Sequence, residues 1–398
     1  MREKRKFSYG YVIVVVMCLC VFVPNYAQYQ VSAFKPELFQ RLGIAANESL
    51  FSSIATAPLI PGIFLSLISG ILVDRFGARA VIGIAVTLST AAVVVRVFCS
   101  SYWQMYLIMI CIGLCAAFIN ANCAKVIGQW FPPEKASVTM GVFMAFANGS
   151  IALGTGTAPL YGSMTGAFTG AAVIAVIALI CWWVFMKNRP IGTEQKQEEK
   201  ISVLEGLKVS LSNRHIWLAA VCMLLSAGCV TAAANFLPSA LISRGMSDKV
   251  APVVTMALTL GALLSNFTAP SFIEKTGRYK LLFFLLGAVA ALGLFLAWRV
   301  TLNPVITFIL LFIAGYCSSG FTPIIMSLPV RLKGIGTRYG GTAGGLLATI
   351  QLGGSVVLPT YVIAPIAGTN YVLMFSLFAL MMVLFCFVQL LLPIKADR

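Results

Sequence analysis

Two basic residues, Arg96 and Lys125, lie within long apolar stretches of the sequence. An ionisable side chain at the depth of a lipid bilayer is costly, so each one that is retained is a candidate for function. Asn122 lies three residues before Lys125 on the same side of a helix, where an ammonium and an amide could together bind one carboxylate. Two other roles stay open for Lys125, namely extension to the nearby membrane surface and pairing with an acidic loop residue.

Arg96 differs from Lys125 because it lies near the end of its apolar stretch, as Arg299 does after a later one. A long basic side chain near a helix end can extend to the lipid headgroups. We therefore expect Arg96 to reach the membrane surface rather than to bind a solute.

Amide and hydroxyl side chains also occur within the apolar stretches. An unpaired amide in hydrocarbon is costly, so we expect these groups to face the protein interior. Each of them either binds a solute or bonds to a neighbouring helix, and the sequence leaves both roles open. Together with Lys125 and Asn122, the candidate binding residues are Asn25, Gln28, Tyr29, Asn148, Asn235, Tyr316, Thr322 and Gln351.

The composition identifies the elements that must position these residues. Of the 398 residues, 60% are hydrophobic and 10% are charged, and the mean hydropathy is +0.94. This excludes a water-soluble globule, which carries about 25% charged residues. Runs of roughly 20 apolar residues, enough to cross a bilayer as a helix, occur twelve times. Since lipid leaves no water to satisfy backbone amides, the sequence predicts an all-α membrane protein with twelve transmembrane helices.

The basic residues behind the net charge of +16 are distributed unevenly between the two sides of the membrane. With the amino terminus inside, 21 of the 28 Lys and Arg residues fall in cytoplasmic segments. We therefore predict that both termini are cytoplasmic and that the basic residues attract anionic lipid headgroups rather than nucleic acid. The compact loops favour a prokaryotic cytoplasmic membrane.

A hydrophilic stretch at 187–214 divides the chain in the middle. We predict a six-helix bundle at 1–186, a cytoplasmic linker at 187–214, and a second six-helix bundle at 215–398. Within the linker, the helical spacing of Ile201, Leu204, Leu207 and Leu211 predicts a short amphipathic helix on the membrane surface.

The two halves resemble each other when the sequence is shifted by 200 residues. An even number of helices gives both halves the same orientation, which is one of the repeat types found in secondary transporters. Such symmetry supplies two near-equivalent conformations that open to opposite sides. The matching pairs are Gly77 and Gly277, Gly141 and Gly341, Gly154 and Gly354, Pro159 and Pro359, and Tyr161 and Tyr361.

A charged motif follows the second predicted helix, where residues 70–79 read GILVDRFGAR. This resembles the G-x-L-x-D-R-x-G-x-R signature of the major facilitator superfamily. The resemblance implies two six-helix bundles facing each other across a central cavity, and it implies that this motif is a conformational latch. The latch residues are Gly70, Asp74, Arg75, Gly77 and Arg79, with Glu274 and Arg278 at the repeated position.

Within that superfamily, the stretch from Asn25 to Gly43 and the turn at residues 130–133 resemble the oxalate:formate antiporter and monocarboxylate transporter group. Members of that group carry charged residues on helix eight or eleven, and these are missing here. The arginine pattern of nitrate-type relatives is missing as well. Oxalate and nitrate are therefore disfavoured as substrates.

These patterns predict a transporter of a small organic anion of the monocarboxylate type, working by alternating access through exchange or uniport. Proton symport is disfavoured because all twelve acidic residues lie at helix ends or in loops. The alternative is a carrier or exporter of neutral or amphipathic solutes, as in drug efflux, in which Lys125 is structural. We expect no enzyme activity, cofactor or metal, since the eleven cysteines form no CxxC pair and His215 is the one histidine. Each monomer should contain a complete pathway.

Overall fold

The computed structural model describes residues 2–188, 203–299, 303–332 and 334–393. Within these ranges, all regular secondary structure is helical. Eleven of the described segments are long and apolar enough to cross a membrane. The fifth predicted span is also a helix, of 25 residues, but its glycines and threonines make it less apolar. The predicted all-α class is confirmed.

The chain forms two compact units, one comprising Met1–Pro190 with Gly245–Met256 and the other Ile191–Arg244 with Ala257–Arg398. In the first unit, the long first helix packs against the fourth, fifth and sixth spans. The helices in this part of the chain are α1 (Arg2–Gln30), α2 (Lys35–Leu42), α3 (Glu48–Thr56), α4 (Ile60–Phe76), α5 (Ala78–Val95), α6 (Tyr102–Trp130), α7 (Pro133–Thr157) and α8 (Met164–Phe185).

In the second unit, the seventh span takes the place of α1 and packs against the eleventh and twelfth. The described helices of the remaining chain are α9 (Val203–Leu211), α10 (Arg214–Ser243), α11 (Val250–Thr276), α12 (Tyr279–Arg299), α13 (Pro304–Ser319), α14 (Thr322–Arg331), α15 (Gly336–Val357), α16 (Ala364–Ala367) and α17 (Tyr371–Leu390).

Several spans are built from more than one helical piece, because proline removes a backbone donor and disturbs the preceding turn. A 3₁₀ turn containing Pro58 joins α3 to α4. A second 3₁₀ turn containing Pro159 follows α7, and a π-helical segment containing Pro359 follows α15. The irregular turns at Pro159 and Pro359 lie at matching places in the repeat predicted from the sequence.

Close approaches of helix backbones show the same repeat. A Cβ on Gly154 would lie 2.6 Å from the carbonyl oxygen of Tyr26, and one on Gly354 would lie 2.6 Å from that of Leu224. These two glycines therefore let the fifth and eleventh spans touch the first and seventh. A second equivalent pair exists, because a Cβ on Gly113 would overlap the Pro58 oxygen and one on Gly315 would overlap the Leu258 oxygen.

Other glycines of α15 have a different environment. A Cβ on Gly341, Gly344, Gly345 or Gly353 would meet nothing within 4 Å. The glycines of α15 therefore form a packing surface only in part. Gly354 is in backbone contact, while the other four leave open space along the helix.

We predict that Gly113→Ala destabilises the protein, because the added methyl would overlap the Pro58 carbonyl and the surrounding helices would have to move. Overpacking of this kind costs about 1–3 kcal/mol. Gly128→Ala on the same helix is the matched control, since nothing lies within 4 Å of its Cβ and alanine favours helix by up to about 1 kcal/mol. Thermal unfolding in detergent micelles measures both, and equal midpoints for the two variants would contradict the close approach.

Candidate functional site

Lys125 lies on α6, five residues before Trp130 at the helix end. At 1.5 Å per residue this is roughly 7–8 Å along the helix axis from that interfacial tryptophan. The Lys125 side chain is half-buried, and Ala121, Ala124 and Gly128 beside it are exposed. The neighbours of Lys125 on this face of α6 are therefore small.

Asn122 does not share that exposed face. Its side chain is 1% exposed, and its amide nitrogen donates to Ser69 Oγ on α4 at 3.1 Å and to the Phe118 carbonyl at 2.9 Å. The amide nitrogen is therefore already paired inside the unit. The expectation that Asn122 and Lys125 bind one carboxylate together is wrong in this arrangement, because three-residue spacing did not reveal that α4 covers Asn122.

The three candidates on α1 also bond to neighbouring helices. Gln28 is buried and donates to the Ala55 carbonyl on α3 at 2.9 Å. Asn25 is half-buried and donates to the Ala147 carbonyl on α7 at 3.2 Å. Tyr29 is buried within the unit. Of the two roles left open by the sequence, helix bonding is the one that Gln28 and Asn25 show.

The other candidates are spread over several helices. Asn148 donates to the Met144 carbonyl of its own helix at 2.9 Å, and the Tyr316 hydroxyl lies 2.8 Å from Thr268 Oγ1. Asn235 is 1% exposed, and its amide nitrogen has no hydrogen-bond partner among the described residues. The remaining two candidates, Thr322 and Gln351, have half-buried side chains.

Arg96 is the clearest departure from the sequence prediction. Its side chain is 0% exposed, so the expectation that it extends to the membrane surface is wrong. Its guanidinium donates to the Ala27 carbonyl at 2.7 Å and to Gln30 Oε1 at 2.6 Å, and it lies 4.0 Å from the centre of the Phe168 ring. These contacts compensate its burial and join α5 to α1 and α8. A position near a helix end did not reveal them, because the partners come from distant parts of the chain.

A second polar cluster was not predicted as a site. It surrounds α2, next to the end of α1, where a buried ion pair joins Lys35 to Glu48 in the first turn of α3. Glu37 accepts hydrogen bonds from the backbone amide of Met164, the first residue of α8, at 3.0 and 3.2 Å. Arg41 donates to carbonyls at the end of the third span, those of Val97 and Cys99.

This cluster restrains several helix ends in the first unit, since a carboxylate suits a helix amino terminus and a guanidinium suits terminal carbonyls. One sequence signal could have revealed this cluster. Basic and acidic residues lie close together in a short stretch with helical spacing, directly after the first membrane span. Glu48 does lie at a helix end, as predicted for all acidic residues, yet its pairing with Lys35 keeps it buried.

The sequence matches the family described as the Major Facilitator Superfamily over residues 12–359. The chain belongs to the Major Facilitator Superfamily. The protein is therefore a membrane transporter and not an enzyme. The finer resemblance to the oxalate:formate antiporter and monocarboxylate transporter group stays a prediction.

Known superfamily members cover most of the chain at low identity. The chain is 21% identical over 87% of its length to the "Probable sulfoacetate transporter SauU" of Cupriavidus necator, covering 85% of that protein. It is 23% identical over 70% of its length to the "Hexuronate transporter" of Bacillus subtilis, covering 68% of that protein. A crystal structure of the nucleoside transporter NupG matches 95% of the chain and 98% of its own, with a TM-score of 0.76 at 14% identity, which shows the shared fold.

The superfamily motif at residues 70–79 forms the turn between α4 and α5. Gly77 has φ +83°, a conformation that disfavours residues with a Cβ, and a Cβ there would lie 2.6 Å from Asn188 Nδ2. The Arg79 amide donates to Asn188 Oδ1 at 2.8 Å, and the Arg79 guanidinium donates to the Trp183 carbonyl at 2.7 Å. In the first unit, this turn is thus bound to the end of α8.

The other latch residues in the described part of the chain have different environments from those of Gly77 and Arg79. A Cβ on Gly70 would meet nothing within 4 Å, while Arg75 and Arg278 are exposed. Gly277, at the repeated position, has φ +71° and so repeats the turn of Gly77. The side chains of Asp74 and Glu274 lie outside the described residues.

We predict that Arg96→Leu destabilises the protein, because it leaves the Ala27 carbonyl and Gln30 Oε1 buried without this donor. An orphaned buried polar group costs about 1–3 kcal/mol. The control Arg214→Leu removes an exposed arginine and should change stability little. Chemical unfolding in micelles measures both variants.

A double-mutant cycle with Gln30→Leu isolates the contact. Since both partners are removed together in Arg96→Leu/Gln30→Leu, the double variant should be more stable than the sum of the single effects implies, by about 0.5–3 kcal/mol. Strict additivity would show that this hydrogen bond does not stabilise the folded protein.

Proposed function

We propose that this superfamily transporter carries a small organic anion bearing a carboxylate or sulfonate, by alternating access, in exchange or uniport. The observation that carries the proposal is the half-buried ammonium of Lys125 on a face of α6 otherwise formed by small residues. An ammonium partly shielded from water gives charge-assisted hydrogen bonds to an oxyanion, and these are stronger than bonds between neutral groups.

The named relatives support an anionic solute. Sulfoacetate carries a sulfonate and a carboxylate, and a hexuronate carries a carboxylate. The shared chemical feature is an oxyanion on a small carbon skeleton, as in the predicted monocarboxylate. A single positive charge on the carrier is suited to one such group, while the rest of each solute would contact uncharged side chains.

Exchange or uniport is favoured over carboxylate-mediated proton symport. In the described part of the chain, the buried carboxylate of Glu48 is paired with Lys35, and that of Glu37 accepts bonds from the Met164 amide. Both carboxylates are therefore engaged by fixed partners within the first unit. A counter-transported anion can reset the carrier without such a group.

A second candidate function is transport of a neutral or amphipathic solute. It is favoured by the open glycine face of α15, where Gly341, Gly344, Gly345 and Gly353 have nothing within 4 Å of a Cβ. A solute could lie against this face through shape and backbone contacts alone. In that case Lys125 would have a structural role.

The motif at residues 70–79 is best explained as a conformational latch, as its superfamily resemblance implies. Its turn is bound to the end of α8, because Arg79 bonds to Asn188 and Trp183. A turn held in this way can form and break contacts together with α8. Solute contact is not needed for this role.

We predict that Lys125→Gln lowers anion transport about tenfold or more, the loss expected for one hydrogen bond to a charged group. The assay is counterflow into vesicles preloaded with acetate, sulfoacetate, glucuronate or a neutral nucleoside. Lys125→Arg retains the charge and should retain part of the activity, while Lys249→Gln changes an exposed lysine elsewhere and should transport as the native protein does.

The outcomes separate the two candidate functions. Anion counterflow that survives in Lys125→Gln would show that the lysine does not bind the solute. Movement of the neutral solute alone, with equal rates in both proteins, would favour the second candidate.

We infer that both termini are cytoplasmic, since 21 of the 28 Lys and Arg residues then lie inside. A fluorescent protein that folds only in the cytoplasm should fluoresce when fused after Arg398. Fused after Met246, between α10 and α11, it should stay dark, while alkaline phosphatase at that place should be active. The reverse pattern would invert the topology.

A further inference from the structure

A crevice opens in the second unit where α9 meets the start of α10 and the turn before α15. Its volume is about 370 Å³, and its lining residues are Lys208, Val209, Ser212, Asn213 and Gly334. We call it the α9 crevice. Its lining shares no residue with the Lys125 face of α6, and solute transport as proposed above does not use it.

Helix α9, which forms one wall of the crevice, is bonded to α15. The Tyr339 hydroxyl donates to Glu205 Oε1 at 2.6 Å. A Cβ on Gly206 would lie 2.7 Å from Thr342 Oγ1, so the two helices are in close contact there. Ser210, one turn further along α9, is fully buried. The side of α9 that faces its neighbour is therefore formed by small residues.

This arrangement differs from the leucine stripe predicted from the sequence. Leu207 is only half-buried, and Leu211 is 44% exposed. Because Gly206 and Ser210 occupy the packed side, Lys208, Leu211 and Ser212 lie together on the outward side at i, i+3 and i+4.

The polar groups of the crevice can bind an anion. Lys208 is exposed and forms no ion pair with any residue that the structure describes. The Asn213 side-chain oxygen accepts from the His215 amide as the cap of α10, which leaves the Asn213 NH₂ group to donate. The Glu205 carboxylate on the same helix is engaged by Tyr339.

Apolar groups lie beside these donors. Leu211 and Trp217 are 44% and 48% exposed, and the Trp217 indole nitrogen donates to the Leu211 carbonyl at 2.8 Å. An exposed tryptophan next to an exposed leucine and a lysine is the side-chain combination found where a protein meets lipid headgroups. A water-soluble phosphate compound would have no use for the apolar part of this surface.

We propose that the α9 crevice binds the headgroup of an anionic phospholipid, with Lys208 and the Asn213 amide on the phosphate and with the acyl chains against Leu211 and Trp217. The lipid belongs to the leaflet on the α9 side of the membrane. This site is independent of the proposed solute, and its test does not use transport.

The test is fluorescence quenching in vesicles in which the mole fraction of phosphatidylglycerol or phosphatidylcholine with brominated acyl chains is raised in steps. The Trp217 signal is the difference between the native protein and Trp217→Phe. Brominated phosphatidylglycerol should quench Trp217 at about fivefold lower mole fraction than brominated phosphatidylcholine, as expected for one lysine near an anionic headgroup. Lys208→Gln should abolish that preference.

The control is Lys280→Gln, which removes a lysine near the start of α12 in the same unit and should leave the preference unchanged. Equal quenching by both lipids in the native protein would overturn the proposal, as would a preference that persists in Lys208→Gln. Millimolar inorganic phosphate should not reduce the preference. If phosphate alone removes it, the crevice binds a free phosphate group and not a lipid.

Discussion

The absence of water from the hydrocarbon region is the constraint on which the rest of this structure depends. Each buried backbone or side-chain polar group must find its partner within the protein. The chain meets this demand with helices, and in the first unit several interior amides bond neighbouring helices to each other. Gln28 bonds α1 to α3, Asn25 bonds α1 to α7, and Asn122 bonds α6 to α4. Polarity inside a span is thus first a structural property and only second a sign of a binding site.

The same demand explains how a full positive charge can be buried. Arg96 is tolerated because two acceptors and an aromatic ring surround its guanidinium, and Lys35 is tolerated because Glu48 neutralises it. Breaking such a pair is costly, whereas the intact pair adds little net stability. These groups fix which helices are neighbours. Lys125 differs in its exposure, because its side chain is only half-buried and its neighbours on the surface of α6 are small.

The sequence was sufficient to predict the fold, because span length and hydropathy depend on local composition and because the motif at residues 70–79 carries the family resemblance. It predicted which residues are polar but not which helix each one faces. Asn122 and Lys125 are three residues apart, yet Asn122 is buried and donates to Ser69 of α4, while Lys125 is only half-buried. Arg96 was wrongly expected at the surface because its partners Ala27 and Gln30 are remote in sequence. Side-chain partners across helices are long-range contacts, and periodicity within one helix carries no information about them.

A comparison of the two halves distinguishes features that both halves keep from features that only one half has. Gly113 on α6 and Gly315 on α13 make equivalent close approaches to a neighbouring backbone, so this packing is kept in both halves. At the 202-residue offset between these two glycines, Lys125 corresponds to Ser327 on α14, whose hydroxyl donates to the carbonyl of Ile324 in its own helix. In addition, α6 is one continuous helix, whereas its counterpart is divided between α13 and α14. The charge of Lys125 is therefore not kept in the second half. Under the proposed function this asymmetry is expected, because one anionic solute needs only one such partner.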